Sequence, residues 1–115
     1  MSSRVVFSPE FQRDLDDIWD HIALAYRNPE AADRIAGGIL DAAERLADFP
    51  ESGRRVFLPG GLDSGYRFLV FESWVVVYRV WRQEVQVVRA IPSALDYMRV
   101  LFPWLRKKPD SDVHD

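Results

Sequence analysis

A chain of 115 residues with 48% apolar side chains has the size and content of one domain around a single core, and is too apolar to be disordered. The absence of cysteine excludes disulfides and thiolate metal sites. The net charge of −3 is unevenly spread, ten acids against five arginines over residues 1–50 and seven arginines against five acids over residues 51–105. This lacks the cationic surplus of a freestanding nucleic-acid binder, so no direct sequence-specific nucleic-acid binding is expected.

Met1–Phe7 is too short, and at Arg4 too charged, for a signal peptide; Arg4–Phe7 reads instead as a short opening strand. Ser8-Pro9-Glu10 is a helix start: a capping hydroxyl, a proline at the first helical position and an acid near the positive helix end. Phe11, Leu15, Ile18, Trp19, Ile22 and Tyr26 follow as one apolar stripe, and Asn28-Pro29-Glu30 repeats the start signal, so the first helix ends near Arg27. Ala32, Ile35, Ile39, Ala42, Leu46 and Phe49 form a second stripe, closed by Pro50 and Gly53. Two helices so closely linked must fold back as an α-hairpin.

Residues 51–65 read as a turn-rich loop, with Pro59-Gly60-Gly61 and Asp63-Ser64-Gly65 as breakers. Three β-rich runs follow, Tyr66–Phe71, Trp74–Trp81 and Glu84–Ile91, separated by Glu72-Ser73 and Arg82-Gln83 as an antiparallel meander. Residues 94–105 have the spacing of a short helix, and the polar tail 106–115 reads as disordered. One domain over residues 1–105 is expected. No apolar run approaches the about 20 residues that span a bilayer, which predicts a cytoplasmic protein without membrane contact.

If both breaks are two-residue loops, Phe71 faces Trp74 and Trp81 faces Glu84, which sets every cross-strand pair. Arg67 then lies opposite Tyr78, Tyr78 opposite Val87, and Arg89 falls diagonally beside Tyr78 on a face shared with Ile91. Tyr66, Phe68, Val75, Val77, Arg79, Trp81 and Val88 occupy the reverse. Both faces are largely apolar and the α-hairpin covers one, so the other needs the C-terminal segment, a second copy or a partner.

This order of elements resembles the ParE/RelE superfamily of toxins from type II toxin–antitoxin systems. The likeness runs from about Arg4 to about Met98. It is carried by Phe7-Ser8-Pro9-Glu10 into Asp14-Leu15-Asp16-Asp17-Ile18, Ala31-Ala32, Leu46, Pro50, Gly53-Arg54, Tyr66-Arg67, Val77-Tyr78-Arg79-Val80 and Val87-Val88-Arg89-Ala90-Ile91. The pattern is closer to the ParE branch. The resemblance implies an α+β fold in which an N-terminal strand and an α-hairpin pack on a small, mostly antiparallel sheet. It also implies inhibition of DNA gyrase by binding and neutralisation by a ParD-like antitoxin in a hetero-oligomer, with no cofactor and no catalytic residues.

RelE-like relatives instead cut mRNA on the ribosome, with cations to stabilise charge on the phosphate. Here the central-strand arginine position falls on Val75 and the basic stretch after the last strand falls on Pro92-Ser93-Ala94, which argues against that chemistry. The histidine common in ParE proteins after the last strand is also replaced, by Pro92-Ser93, and the loop over residues 56–65 is longer than the family's usual one.

Arg67, Tyr78 and Arg89 are the constellation singled out as a target- or antitoxin-facing patch for an acidic group. The competing explanation is a tyrosine packed in the sheet with arginines snorkelling from its rim. Trp81 and Trp104 are the interface candidates among the tryptophans. Asp14, Asp17, Asp20 and His21 invite a metal, but the solvated face of an amphipathic helix accounts for them; no metal site is expected.

Overall fold

The computed structural model describes residues 3–93. The expected helix over residues 94–105, the tail and Trp104 lie outside them. Ser8 begins helix α1 (Pro9–Asp20) as anticipated: its Oγ accepts from the Phe11 amide at 3.0 Å, with Pro9 in the first turn. A π turn over His21–Ala25 continues α1. It ends where Arg27 takes a left-handed φ of 54° and the Asn28 amide bonds back to the Ile22 carbonyl at 3.4 Å. Asn28 then caps α2 (Pro29–Glu44) by accepting from the Ala31 amide at 3.1 Å.

The helices pack as the expected α-hairpin, tied by Trp19 Nε1 donating to Asp33 at 2.7 Å. Two members of the predicted stripes stay outside. Tyr26 is 67% and Phe49 is 64% exposed, because each lies past the helix end, where helical spacing no longer aims a side chain at the core.

The described strands form one five-stranded sheet: β1 (Arg4–Phe7), β2 (Arg54–Phe57), β3 (Asp63–Phe71), β4 (Trp74–Trp81) and β5 (Glu84–Pro92), in the order β1-β5-β4-β3-β2. β1 runs parallel to β5, and the other pairs are antiparallel. β2 and the first residues of β3 fall within the stretch read as loop. Only Val56 of β2 points inward, 2% exposed, so this short edge strand has no apolar period to announce it, and a bulge between Arg55 and Phe57 breaks its register.

Both meander turns are two residues long, and Arg67↔Tyr78 and Tyr78↔Val87 are the observed pairs. The register then slips. β5 carries a bulge, so that Tyr78 pairs with Val87 but Val77 pairs with Arg89, and Val88 is the extra residue. Beyond it the faces exchange. Ala90 packs in the helix-side core with Phe11, Ile18, Val76, Tyr78, Val85 and Val87, whereas Ile91 joins Val56, Tyr66, Val75, Val77 and Val88 in a second cluster on the reverse face. The expected placement of Ile91 and Arg89 beside Tyr78 on one regular face is corrected by that one residue.

Close packing of α2 on the sheet depends on Gly38, where a side chain would strike the Phe71 ring. Ser8 serves both layers. Besides capping α1, its amide donates to the Val87 carbonyl at 2.9 Å and its hydroxyl to the Val88 carbonyl at 2.8 Å, so one residue satisfies both carbonyls at the bulge. Ser8→Ala removes the cap and leaves the Val88 carbonyl short of a donor. A loss of about 1–2 kcal/mol in urea unfolding is the expected outcome, and a change below about 0.3 kcal/mol would show that the bulge needs no such support.

Candidate interaction surface

Tyr78 sits at the middle of the central strand and is fully buried. Burial of a phenol demands a partner for its hydroxyl, and the Gly53 amide supplies it, donating to the Tyr78 oxygen at 2.8 Å. Gly53 is the residue that permits this approach: a Cβ there would lie 2.6 Å from the Tyr78 oxygen and 2.7 Å from the Phe68 carbonyl. Arg67, opposite Tyr78 on β3, reaches the same loop, its guanidinium donating to the carbonyls of Gly53 at 2.9 Å and Glu51 at 3.2 Å. Arg67 and Tyr78 thus converge, as the register predicts, on a backbone segment of their own chain.

Arg89 does not join them. Its guanidinium makes a two-point contact with Asp14 of α1, Nε to Oδ2 at 2.8 Å and Nη2 to Oδ1 at 3.2 Å. The same Asp14 Oδ2 accepts from the Ala90 amide at 2.8 Å. β1 pairs with β5 only as far as Val87, so Asp14 takes over the edge of β5 where β1 stops. The pair is mostly buried, with side chains 24% and 14% exposed, and its strength lies in three charge-assisted bonds meeting on one carboxylate.

Asp14 departs from the solvated role expected of it. It lies three residues after Phe11 and four before Ile18, within the buried stripe and not on the solvated helix face, and an acid there signals a partner. Gly53 stood in the family-like pattern, but only the buried Tyr78 hydroxyl explains it. Among the described residues, no three His, Asp or Glu side chains gather to hold a metal.

The family model described as the ParE toxin of the type II toxin–antitoxin system parDE matches residues 5–97. The chain belongs to that family. No curated protein matches it. Among solved structures, a chain from the chromosomal ParDE toxin–antitoxin system of P. aeruginosa superposes with a TM-score of 0.67 at 24% identity, covering 79% of this chain and 96% of that one. A chain from the toxin–antitoxin complex RelBE2 of Mycobacterium tuberculosis superposes with a TM-score of 0.59 at 17% identity, covering 80% and 99%. These are likenesses of fold.

Within this ParE-family toxin, Val75 lies buried in the reverse-face cluster and presents no polar group. Trp81 is 55% exposed at the β4–β5 turn, with the Arg82 guanidinium 5.4 Å from its ring centroid. The turn itself holds Arg82 and Gln83 at φ 50° and 63°, which fixes the direction in which the pair points. Among the described residues singled out, Trp81 presents an exposed ring that is free to meet another molecule.

Burial raises the Tyr78 pKa above its ordinary value near 10, and the Gly53 amide and the Arg67 charge only partly offset this. A phenol raised in the folded state contributes stability that is complete below about pH 10 and is lost as pH climbs through the folded value. Wild-type stability is therefore expected to fall above about pH 10 by an increment absent from Tyr78→Phe, measured by urea unfolding across that range. At neutral pH, Tyr78→Phe itself costs about 1–3 kcal/mol, because the Gly53 amide loses its acceptor. Equal pH profiles for the two proteins would contradict the buried-phenol assignment.

Proposed function

We propose that this ParE-family toxin inhibits DNA gyrase by binding it and is held inactive by a ParD-like antitoxin. The observation that carries the reading is the match to the ParE family over nearly all of the described chain. The arrangement of the side chains supports a binding protein. Tyr78 is buried, Arg67 and Arg89 are spent on Glu51, Gly53 and Asp14, and Val75 stands where a ribonuclease of the superfamily would place a cation. Inhibition by contact requires only an exposed, well-oriented patch, and the Trp81–Arg82 turn is one: a rigid aromatic with a cation beside it, suited to anchoring in a partner's pocket.

Supercoiling by purified gyrase in the presence of the purified toxin tests the target. Loss of supercoiling with accumulation of cleaved DNA is expected, whereas undisturbed supercoiling by folded toxin would overturn the gyrase assignment. In the same assay, Trp81→Ala should keep the fold, since the ring is exposed, and weaken inhibition at least tenfold. Inhibition unchanged in Trp81→Ala would remove this turn from the contact.

A further inference from the structure

The reverse face of the sheet changes character toward the β4–β5 turn. Away from the turn it carries Val75, Val77, Val88 and Ile91. Nearer the turn, Arg79 and Trp81 of β4 lie opposite Gln86 and Glu84 of β5, and Arg4 of β1 lies opposite Glu84. The bulge at Val88 falls beyond these pairs, so the alternation that puts them on one face is unbroken. Arg82, in the turn, sets its guanidinium 5.4 Å from the Trp81 ring centroid.

Arg79 is held in place by its neighbours. Its Nε donates to Gln86 Oε1 at 2.7 Å, Gln86 Nε2 donates to Glu84 Oε1 at 2.9 Å, and the guanidinium lies 5.7 Å from the Tyr66 ring centroid. These contacts orient the fork while using only Nε. Its two terminal nitrogens have no hydrogen-bond partner among the described residues. Arg4, its side chain 78% exposed, meets Glu84 only at 4.0 Å, and Arg82 is exposed. Three arginines thus stand around one acid, beside a ring that is 55% exposed.

An oriented guanidinium fork gives two parallel bonds to phosphate oxygens, and an exposed indole stacks on any unpaired base. An acidic peptide would use the cations and leave the ring unmatched. Arg4 stands about 10 Å from Trp81, two strand spacings away, so the cations span more than one nucleotide. A duplex would hide the base faces that the ring needs.

We infer that the reverse face around Arg79 and Trp81 is a binding site for a short run of single-stranded nucleic acid. A base stacks on Trp81 while Arg79, Arg82 and Arg4 take successive phosphates, without reading sequence. The site lies about 20 Å along β4 from Val75, the position that carries the cation in the superfamily's ribonucleases. The inference goes beyond the gyrase reading and does not rest on it.

The test titrates the full-length chain, without gyrase, into a fluorescein-labelled twelve-residue oligothymidylate and follows anisotropy and tryptophan emission. Binding should quench tryptophan emission and weaken with salt at a log–log slope of about −2, the value for three arginines on a single strand. The pair Arg4→Glu and Arg82→Glu, both at exposed positions, should weaken binding at least tenfold. The pair Arg13→Glu and Arg54→Glu makes the same change in net charge at exposed positions elsewhere and should leave it within twofold. Trp81→Ala should bind at least fivefold more weakly and lose the quenching. Arg79→Lys keeps the charge without the fork and should bind at least threefold more weakly. No binding, equal losses in the two charge-reversal pairs, equal affinity for the duplex, or equal affinity for a capped decaglutamate would each overturn the inference. Because gyrase is absent, its supercoiling can remain undisturbed while the oligonucleotide binds, or be inhibited while it does not, so the two readings fail separately.

Discussion

One extra residue in the last strand governs how the two layers of this toxin meet. A regular β5 would place Arg89 and Ile91 on the helix side with Val85 and Val87. The bulge at Val88 turns Ala90 inward, where the small side chain fits beneath α1, and sends Ile91 to the reverse cluster. It also points two successive carbonyls at the end of β1, and the amide and hydroxyl of Ser8 are placed to receive both. Since Ser8 also caps α1, the helix direction and the irregularity in the strand are set by a single residue. Asp14, two turns further on, closes the remaining edge through the Ala90 amide and holds Arg89 in the same step.

The chemistry of the surface follows from this construction. The polar groups nearest the middle of the sheet are consumed internally: Tyr78 by Gly53, Arg67 by the loop at residues 51–53, Arg89 by Asp14. A buried polar group left without a partner would cost more than a bond in water returns, so these contacts are obligatory, and the side chains that make them are withdrawn from recognition. What is left for partners lies at the rims. At one rim the Trp81–Arg82 turn projects from the β4–β5 hairpin; at another, β2 leaves the edge of β3 uncovered beside Phe49. The two regions lie at opposite ends of β4.

Much of the fold was legible because its signals are local. The Ser8-Pro9 and Asn28-Pro29 starts locate both helices, and the Glu72-Ser73 and Arg82-Gln83 breaks give the pairings of β4 up to Tyr78. The bulge was not legible, because nothing in Val87-Val88-Arg89 distinguishes a regular strand from one with an added residue: the reason to bulge lies in Ser8 and Asp14, some 75 to 80 positions away. β2 was missed because a strand with one inward residue has no period. The candidate site was legible as a set of residues but not as a role. Arg67, Tyr78 and Arg89 do occupy neighbouring strands, yet only the fold brings the Gly53 amide to Tyr78, the loop carbonyls to Arg67 and the Asp14 carboxylate to Arg89.

The most direct test of this division between scaffold and contact is a double-mutant cycle on Asp14→Asn and Arg89→Gln, with stability and growth inhibition measured for all four proteins. A coupling energy of about 1–3 kcal/mol between the two sites is expected, with inhibition retained by every variant that stays folded at the assay temperature. Additive, negligible effects on stability together with loss of inhibition in Arg89→Gln would contradict it, and would return Arg89 to the surface that meets the target.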